Sequence, residues 1–488
     1  MRHFLHGDHI LHHRHHVPRK DVDMTSGPLF RKIFLFSLPI VLTNLLQTFF
    51  NAADMMVVSL SSEVNAVGAI GATNAFISTI LTLFIGISGG VTVVVAQRLG
   101  AGDTKATGRA VHTAVAMALP IGLLAMTATI LVCRPILMLL GTKDDLLRLA
   151  VRYTRIYAFG LPLTTLFNFA FGIFNAKGDS RTPLVVMTSA GALNVLLNLF
   201  FVLACKMSVE GVAIATAVSN GISAVVLLWR LKVTDGPCRF FFRKLAFHMK
   251  EFRQILYNGI PNALQGSMFG ISNMMITSSV MQINNAVMAT LPPGTTYQPV
   301  ISGNGVASSL QGFASVTATS ISQAAMPFAG QNAGARNFGR VRRVLFESYL
   351  ISAVFVSTIA LLTLLFCDPL LALYGITGQG EAQRAAYETA LLKMRLVGSL
   401  YFLDGLMSVS AAVLRGLGKA VTSATIVLFG ACVFRFIWIF TIFRRFGTLT
   451  SLYLSYPISW TITTIVLFTL TMLTIRKKSS ESAVPAAT

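Results

Sequence analysis

Between Pro39 and Leu60 the chain runs PIVLTNLLQTFFNAADMMVVSL, an apolar stretch long enough to cross a bilayer that nevertheless carries Asn44, Gln47, Asn51 and Asp54. At 100° per residue their spacing of three, four and three places all four within about 80° of helix surface, as one wet stripe. A carboxylate inside a membrane segment costs roughly 2.5 to 3.5 kcal/mol, and such residues usually face a cavity on an ion or substrate path. Asp54 is therefore the first candidate for binding a coupling ion, and Asn44, Gln47 and Asn51 for lining a substrate path. The alternative is geometric. If the helix enters the membrane near Ile33, Asp54 lies about 31 Å further along and could sit solvated at the far interface.

Other polar residues could converge on Asp54. Asn194 and Asn198 stand at i and i+4 in ALNVLLNLFFV, and Thr216 pairs with Asn220 in GVAIATAVSN. Read as structure, such pairs are interhelical glue worth on the order of 0.6 kcal/mol each. Read as ligands, a carboxylate, two amides and a hydroxyl suit a hard cation such as Na⁺, while desolvation of Asp54 suits proton carriage. A later segment carries Asn304, Ser308, Gln311, Ser315, Thr319 and Gln323, a neutral polar stripe that extends the substrate path. With the 19 Met and 35 Phe, the cavity lining reads as apolar, adaptable and lightly charged, which suits bulky amphipathic organic cations. Asp404, with Ser408 one turn later, is the second intramembrane acid. It is either a second ion site or the partner of Arg435 in the next segment.

These residues need membrane helices to hold them. The 488-residue chain is 54% hydrophobic and 12% charged, with a mean hydropathy of +0.69, which places it with polytopic membrane proteins. The net charge of +21 does not indicate nucleic acid, because the basic residues sit in short loops between apolar runs. Five cysteines without CxxC spacing indicate neither disulfides nor zinc. Outside the first 28 residues only His112 and His248 remain, and no paired acids or metal spacing indicate an enzyme or a resident cofactor.

Twelve segments of spanning length are expected, with cores at about 33–60, 66–97, 108–132, 153–176, 184–205, 211–231, 255–283, 300–330, 344–367, 390–414, 420–443 and 449–475. About two thirds of the 39 Lys and Arg fall in alternate loops and tails, which puts both termini in the cytoplasm. The expected organisation is all-α. A His-rich basic tail (1–28) precedes a six-helix bundle (29–232), a basic linker (233–253), a second six-helix bundle (254–475) and a short tail (476–488). The linker region KVTDGPCRFFFRKLAFHMKEFR reads as an amphipathic helix lying on anionic lipid.

The halves look alike. AQRLGAGDTKATGRAV from Ala96 recurs as GQNAGARNFGRVRRV from Gly330, LPIVLTNLLQ from Leu38 as IPNALQGSMF from Ile260, and GIFNAKGDS from Gly172 as AVLRGLGKA from Ala412. Six spans per half make the repeats parallel, about an axis along the membrane normal, with the substrate route between the bundles.

On these fragments the chain, from about residue 28 to 475, resembles the multidrug and toxic compound extrusion (MATE) family of the MOP superfamily. The resemblance implies a V of two six-helix bundles in the inner (cytoplasmic) membrane, a monomer with no nucleic-acid partner, working by alternating access. The implied function is export of amphipathic, often cationic compounds against Na⁺ or H⁺ entry. The alternative is a flippase or exporter of lipid-linked or other anionic metabolites, which wants a strongly cationic cavity where mid-membrane Arg and Lys look scarce. The family pattern also implies that Pro39, fifteen residues before Asp54, is a hinge. Asn194 and Thr216 fit the same pattern, but Asn198 stands where it has a second Asp. In the branch whose site lies in the second bundle, Asp404 has a counterpart, whereas the seventh segment offers Phe269 and no acid.

Overall fold

The computed structural model describes residues 21–483 apart from 62, 64, 140, 141, 143 and 293–295, so the histidines of the tail lie outside the described residues. The described residues are helical almost throughout and include no strand. The first half holds α1 (Leu29–Val58), α2 (Ala66–Gly100), α3 (Thr104–Leu139), α4 (Asp144–Phe159), α5 (Leu161–Lys177), α6 (Arg181–Leu199) and α7 (Val209–Val233). The second holds α8 (Met249–Met288), α9 (Pro299–Gly334), α10 (Phe338–Leu365), α11 (Cys367–Leu373), α12 (Glu381–Lys393), α13 (Phe402–Gly416), α14 (Ala420–Val427), α15 (Phe434–Trp438), α16 (Arg444–Phe446) and α17 (Leu449–Ala483).

Each expected segment falls on helix. Among the described residues eight helices are long and apolar enough to cross a membrane, and ten if two bent pairs each count as one span. α8 and α9 have the length, at 40 and 36 residues, but their polar stripes dilute the apolar run. The bends repeat. α4 meets α5 at 52° and the α12 segment meets α13 at 43°, the fourth and tenth expected spans. At the first bend Pro162 opens α5, where its missing N–H leaves nothing unpaired.

Turns of π-helix interrupt the second half at Met394–Gly398, Leu428–Val433 and Ile439–Phe443, so Lys393 and Arg435 each stand beside a widened turn. Pro39, by contrast, sits inside an unbroken α1, and the Thr43 hydroxyl donates to its carbonyl at 2.7 Å.

One buried apolar cluster lies within the first half, a second joins that half to the linker and Ile255 of α8, and others lie within the second half. The largest contains Leu29, Ile33, Phe36 and Ile40 together with Phe328, Val341 and Leu414, so the start of α1 packs into the second half. The residues just before it are ordered too, which corrects the reading of 1–28 as a tail throughout. The Val22 N–H donates to the Gly178 carbonyl at 2.9 Å, and the Met24 carbonyl accepts from Asn332 at 2.9 Å and Arg340 at 3.3 Å. This strap joins the end of α5 to the end of α9. Burial pushes the Asp23 carboxyl up, but hydrogen bonds from Ser26 and Thr25 with the nearby Lys32 ammonium outweigh it and hold the group at about 2, so the strap keeps its charge at any physiological pH.

At the same end the repeated motifs touch one another across the two halves. The Gln97 side chain donates to the Gly416 carbonyl at 2.8 Å, and the Gln331 side chain donates to the Ala176 carbonyl at 2.6 Å. The exchange is reciprocal. The glycines three residues on make it possible, because a Cβ on Gly100 would lie 1.8 Å from the Gln331 carbonyl oxygen and one on Gly334 2.0 Å from that of Gln97.

The expected amphipathic helix in the linker does not form; only Phe242–Lys244 make a short 3₁₀ turn. Cys238 and Phe240 are buried while Arg239 and Phe241 are exposed, an alternation of period two that extended chain satisfies and a helix cannot. Backbone N–H groups of Phe241 and His248 are held by His112 and Thr113 of α3 at 3.1 and 3.2 Å.

Candidate functional site

Two of the cavities among the described residues bear on the expected site. The first, ≈ 260 Å³, is lined along α1 by Asn44, Gln47, Asn51 and Asp54, the whole of the expected stripe. Facing them are Thr164, Asn168 and Asn175 of α5, Asn194 of α6, Thr216 and Asn220 of α7, and Thr319 and Gln323 of α9.

Asp54 joins a hydrogen-bonded chain of polar side chains. Asn198 donates its Nδ2 to Asp54 Oδ1 at 2.6 Å and to Asn194 Oδ1 at 3.3 Å, and Asn194 donates to the Thr216 hydroxyl at 3.4 Å. The i, i+4 spacing on α6 stacks the two amides, and Thr216 returns its proton to the Val212 carbonyl one turn back. Asn198 is 0% exposed and lies behind the cavity wall, with its Oδ1 buried and unpartnered. A short charge-assisted bond from an amide N–H stabilises ionised Asp54 where an Asp would instead repel it. Oxygens of Asp54, Asn194, Asn198 and Thr216 are hard donors of the kind Na⁺ takes. Among the described residues no group of three His, Cys, Asp or Glu forms a metal cluster.

Asn44 reaches across to the second half, donating to the Ser320 hydroxyl at 2.8 Å. Sequence reasoning missed Thr164, Asn168 and Asn175, although their spacing of four and seven puts them on one face of α5.

The second cavity, ≈ 600 Å³, is lined from residues 262 to 460. Asn304 and Gln311 line this one and not the first, so the expected single path along α9 divides in two. The reason is helical drift: at 100° per residue Gln323 points about 100° away from Asn304, with Thr319 between them facing both cavities. Asp404 and Ser408 line the second cavity as well, together with Arg435. Asp404 is not within ion-pair distance of Arg435, and neither residue enters an ion pair among the described residues. The scarcity of intramembrane cations is also corrected. Lys393, Arg415 and Arg435 all line this cavity, Arg415 facing the first as well, although its place after the tenth apolar run had marked it as a loop residue.

The family model matching this chain is MatE, over residues 39–200 and 269–441. The "Probable multidrug resistance protein YpnP" of Bacillus subtilis is 28% identical over 66% of this chain and 69% of its own length. The "FAD transporter" of Shewanella oneidensis is 24% identical over 73% of this chain and 76% of its own. Among solved structures, an outward-facing multidrug resistance MATE family transporter of the MOP superfamily superposes with a TM-score of 0.83 at 19% identity, covering 94% of this chain and 99% of that chain.

Proposed function

The chain belongs to the MATE family of efflux transporters, and on that premise we propose that it is a cation-coupled antiporter that exports amphipathic organic compounds by alternating access. The coupling ion, Na⁺ or H⁺, binds at Asp54 with Asn194, Asn198 and Thr216. The observation that carries this reading is the 2.6 Å bond from buried Asn198 to Asp54 at the wall of an amide-lined cavity. A cation arriving there replaces the amide donor as the partner of the carboxylate, and a cationic amphiphile lying along Asn44, Gln47 and Asn51 competes for the same charge. Mutual exclusion at one carboxylate is enough to couple the two fluxes.

In this reading residues 29–232 and 254–475 are the moving bundles, 233–253 links them, and Pro39 is the hinge of α1. The end bearing the strap and the Gln97 and Gln331 exchange is cytoplasmic, with both termini on that side of the cell membrane, and the working unit is a monomer. The test is efflux of rhodamine 123, a cationic dye, from proteoliposomes under separately imposed Na⁺ and H⁺ gradients. One of the two gradients should drive export by the wild type; export that responds to neither gradient overturns the proposal.

A further inference from the structure

We propose that the second cavity is a binding site for an amphipathic organic anion, a carboxylate or phosphate carried on an aromatic body. This goes beyond the coupling reaction at Asp54: the two cavities share only Asn262, Thr319, Ser322 and Arg415.

The lining brings three cations against one acid, Lys393, Arg415 and Arg435 against Asp404. Among the described residues none of the three has a carboxylate within ion-pair distance. Lys393, 5% exposed, is held by neutral oxygens, Asn304 Oδ1 at 3.0 Å and Ser308 Oγ at 2.5 Å. Arg435 is 2% exposed; its Nε donates to Ser459 at 3.2 Å and its Nη2 is buried without a partner. Nε and Nη1 of Arg415 are likewise buried and unpartnered.

Charges inside a membrane protein are paired or wet, and this set has one acid for three cations. An organic cation entering here would meet a surplus of like charge. An oxyanion would complete the guanidinium forks, whose planar geometry matches carboxylate and phosphate. The body of the ligand is indicated by the walls. Arg435 lies 4.3 Å over the Tyr456 ring, and Tyr401 meets Trp460 edge to face at 5.0 Å, so flat aromatic faces stand beside the charge.

The test uses the full-length purified protein and two dyes on one ring system, anionic fluorescein and cationic rhodamine 123, with binding read by fluorescence anisotropy at equilibrium. No gradient is applied, so failure of the coupling reading leaves this result unaffected. Fluorescein should bind saturably. Lys393→Met and Arg435→Gln should each weaken it about tenfold, the loss of one charge-assisted contact. Lys393→Arg, which keeps the charge, should stay within about threefold, and Arg415→Gln, at a partly exposed side chain, supplies the same loss should the buried variants fail to fold. Absence of saturable fluorescein binding to the wild type, or fluorescein affinity unmoved in Arg415→Gln and Lys393→Met, overturns the proposal.

Discussion

The two cavities are built on one repeated frame and differ in charge: the first sets Asp54 against Arg415 alone, the second sets three cations against Asp404. Along the offset of 240 residues that relates GIFNAKGDS to AVLRGLGKA, Asn175 corresponds to Arg415 and Tyr153 to Lys393. Along the offset of 222 that relates Leu38 to Ile260, Asp54 corresponds to Ile276. The first half thus presents a carboxylate among amides and the second a surplus of cations around Asp404. What did not diverge is the backbone contact between halves, where Gln97 and Gln331 still make equivalent bonds. The repeated motifs keep the contact between the halves, while the side chains that line the two cavities differ.

The largest expected effect breaks the comparison if it fails. Asp54→Asn removes the only carboxylate among the described residues that line the first cavity and should lower gradient-driven rhodamine 123 efflux about 100-fold or more, the loss of one well-placed ion partner. Asp404→Asn should leave the gradient dependence in place. Proteoliposome flux measured for both variants decides it, and equal losses would mean that the two acids act alike and the cavities are not specialised.

The next effect sharpens the asymmetry inside the first cavity. Asn198→Asp replaces the donor 2.6 Å from Asp54 with a second acid. At an effective dielectric of about 20, an extra carboxylate about 4 Å from a cation adds roughly 4 kcal/mol of attraction, most of it offset by repulsion between the acids. We expect the half-saturating Na⁺ concentration for efflux to fall about tenfold. An unchanged Na⁺ dependence in a folded variant would place Asn198 outside the ion site.

How much of this was legible in the sequence follows from geometry. The α1 stripe could be read because a charge in an apolar run is expensive and its companions, within about 80° of one another, all meet the one cavity. On α9 the same reasoning failed, since a stripe that spans nineteen residues rotates from one cavity into the other. Arg415 was hidden by its position: a span boundary drawn at Leu414 leaves it in a loop, whereas the side chain turns back into the body. Lys393 was hidden by the bend, because α12 and α13 are separate helices and a lysine at their junction looks like the edge of a span. The linker deceived through composition, its basic and aromatic residues satisfying a membrane-surface helix while its burial alternates by two.

The smallest effect concerns what the halves retain in common. Gln97→Ala and Gln331→Ala each delete one hydrogen bond between the halves, with a net worth of about 1 kcal/mol, or a roughly fivefold shift toward the state in which that end opens. The two contacts use separate carbonyls, Gly416 and Ala176, but the helix ends that carry them pack backbone to backbone, so the double variant should depart from the roughly 25-fold product of independent shifts. Spin labels on α3 and α10, whose first residues, Thr104 and Phe338, begin shortly after the paired motifs, would report the distance distribution at that end. If one glutamine shifts the equilibrium and the other does not, the exchange is symmetric only in appearance, and the functional divergence of the halves extends from the cavities to the closure itself.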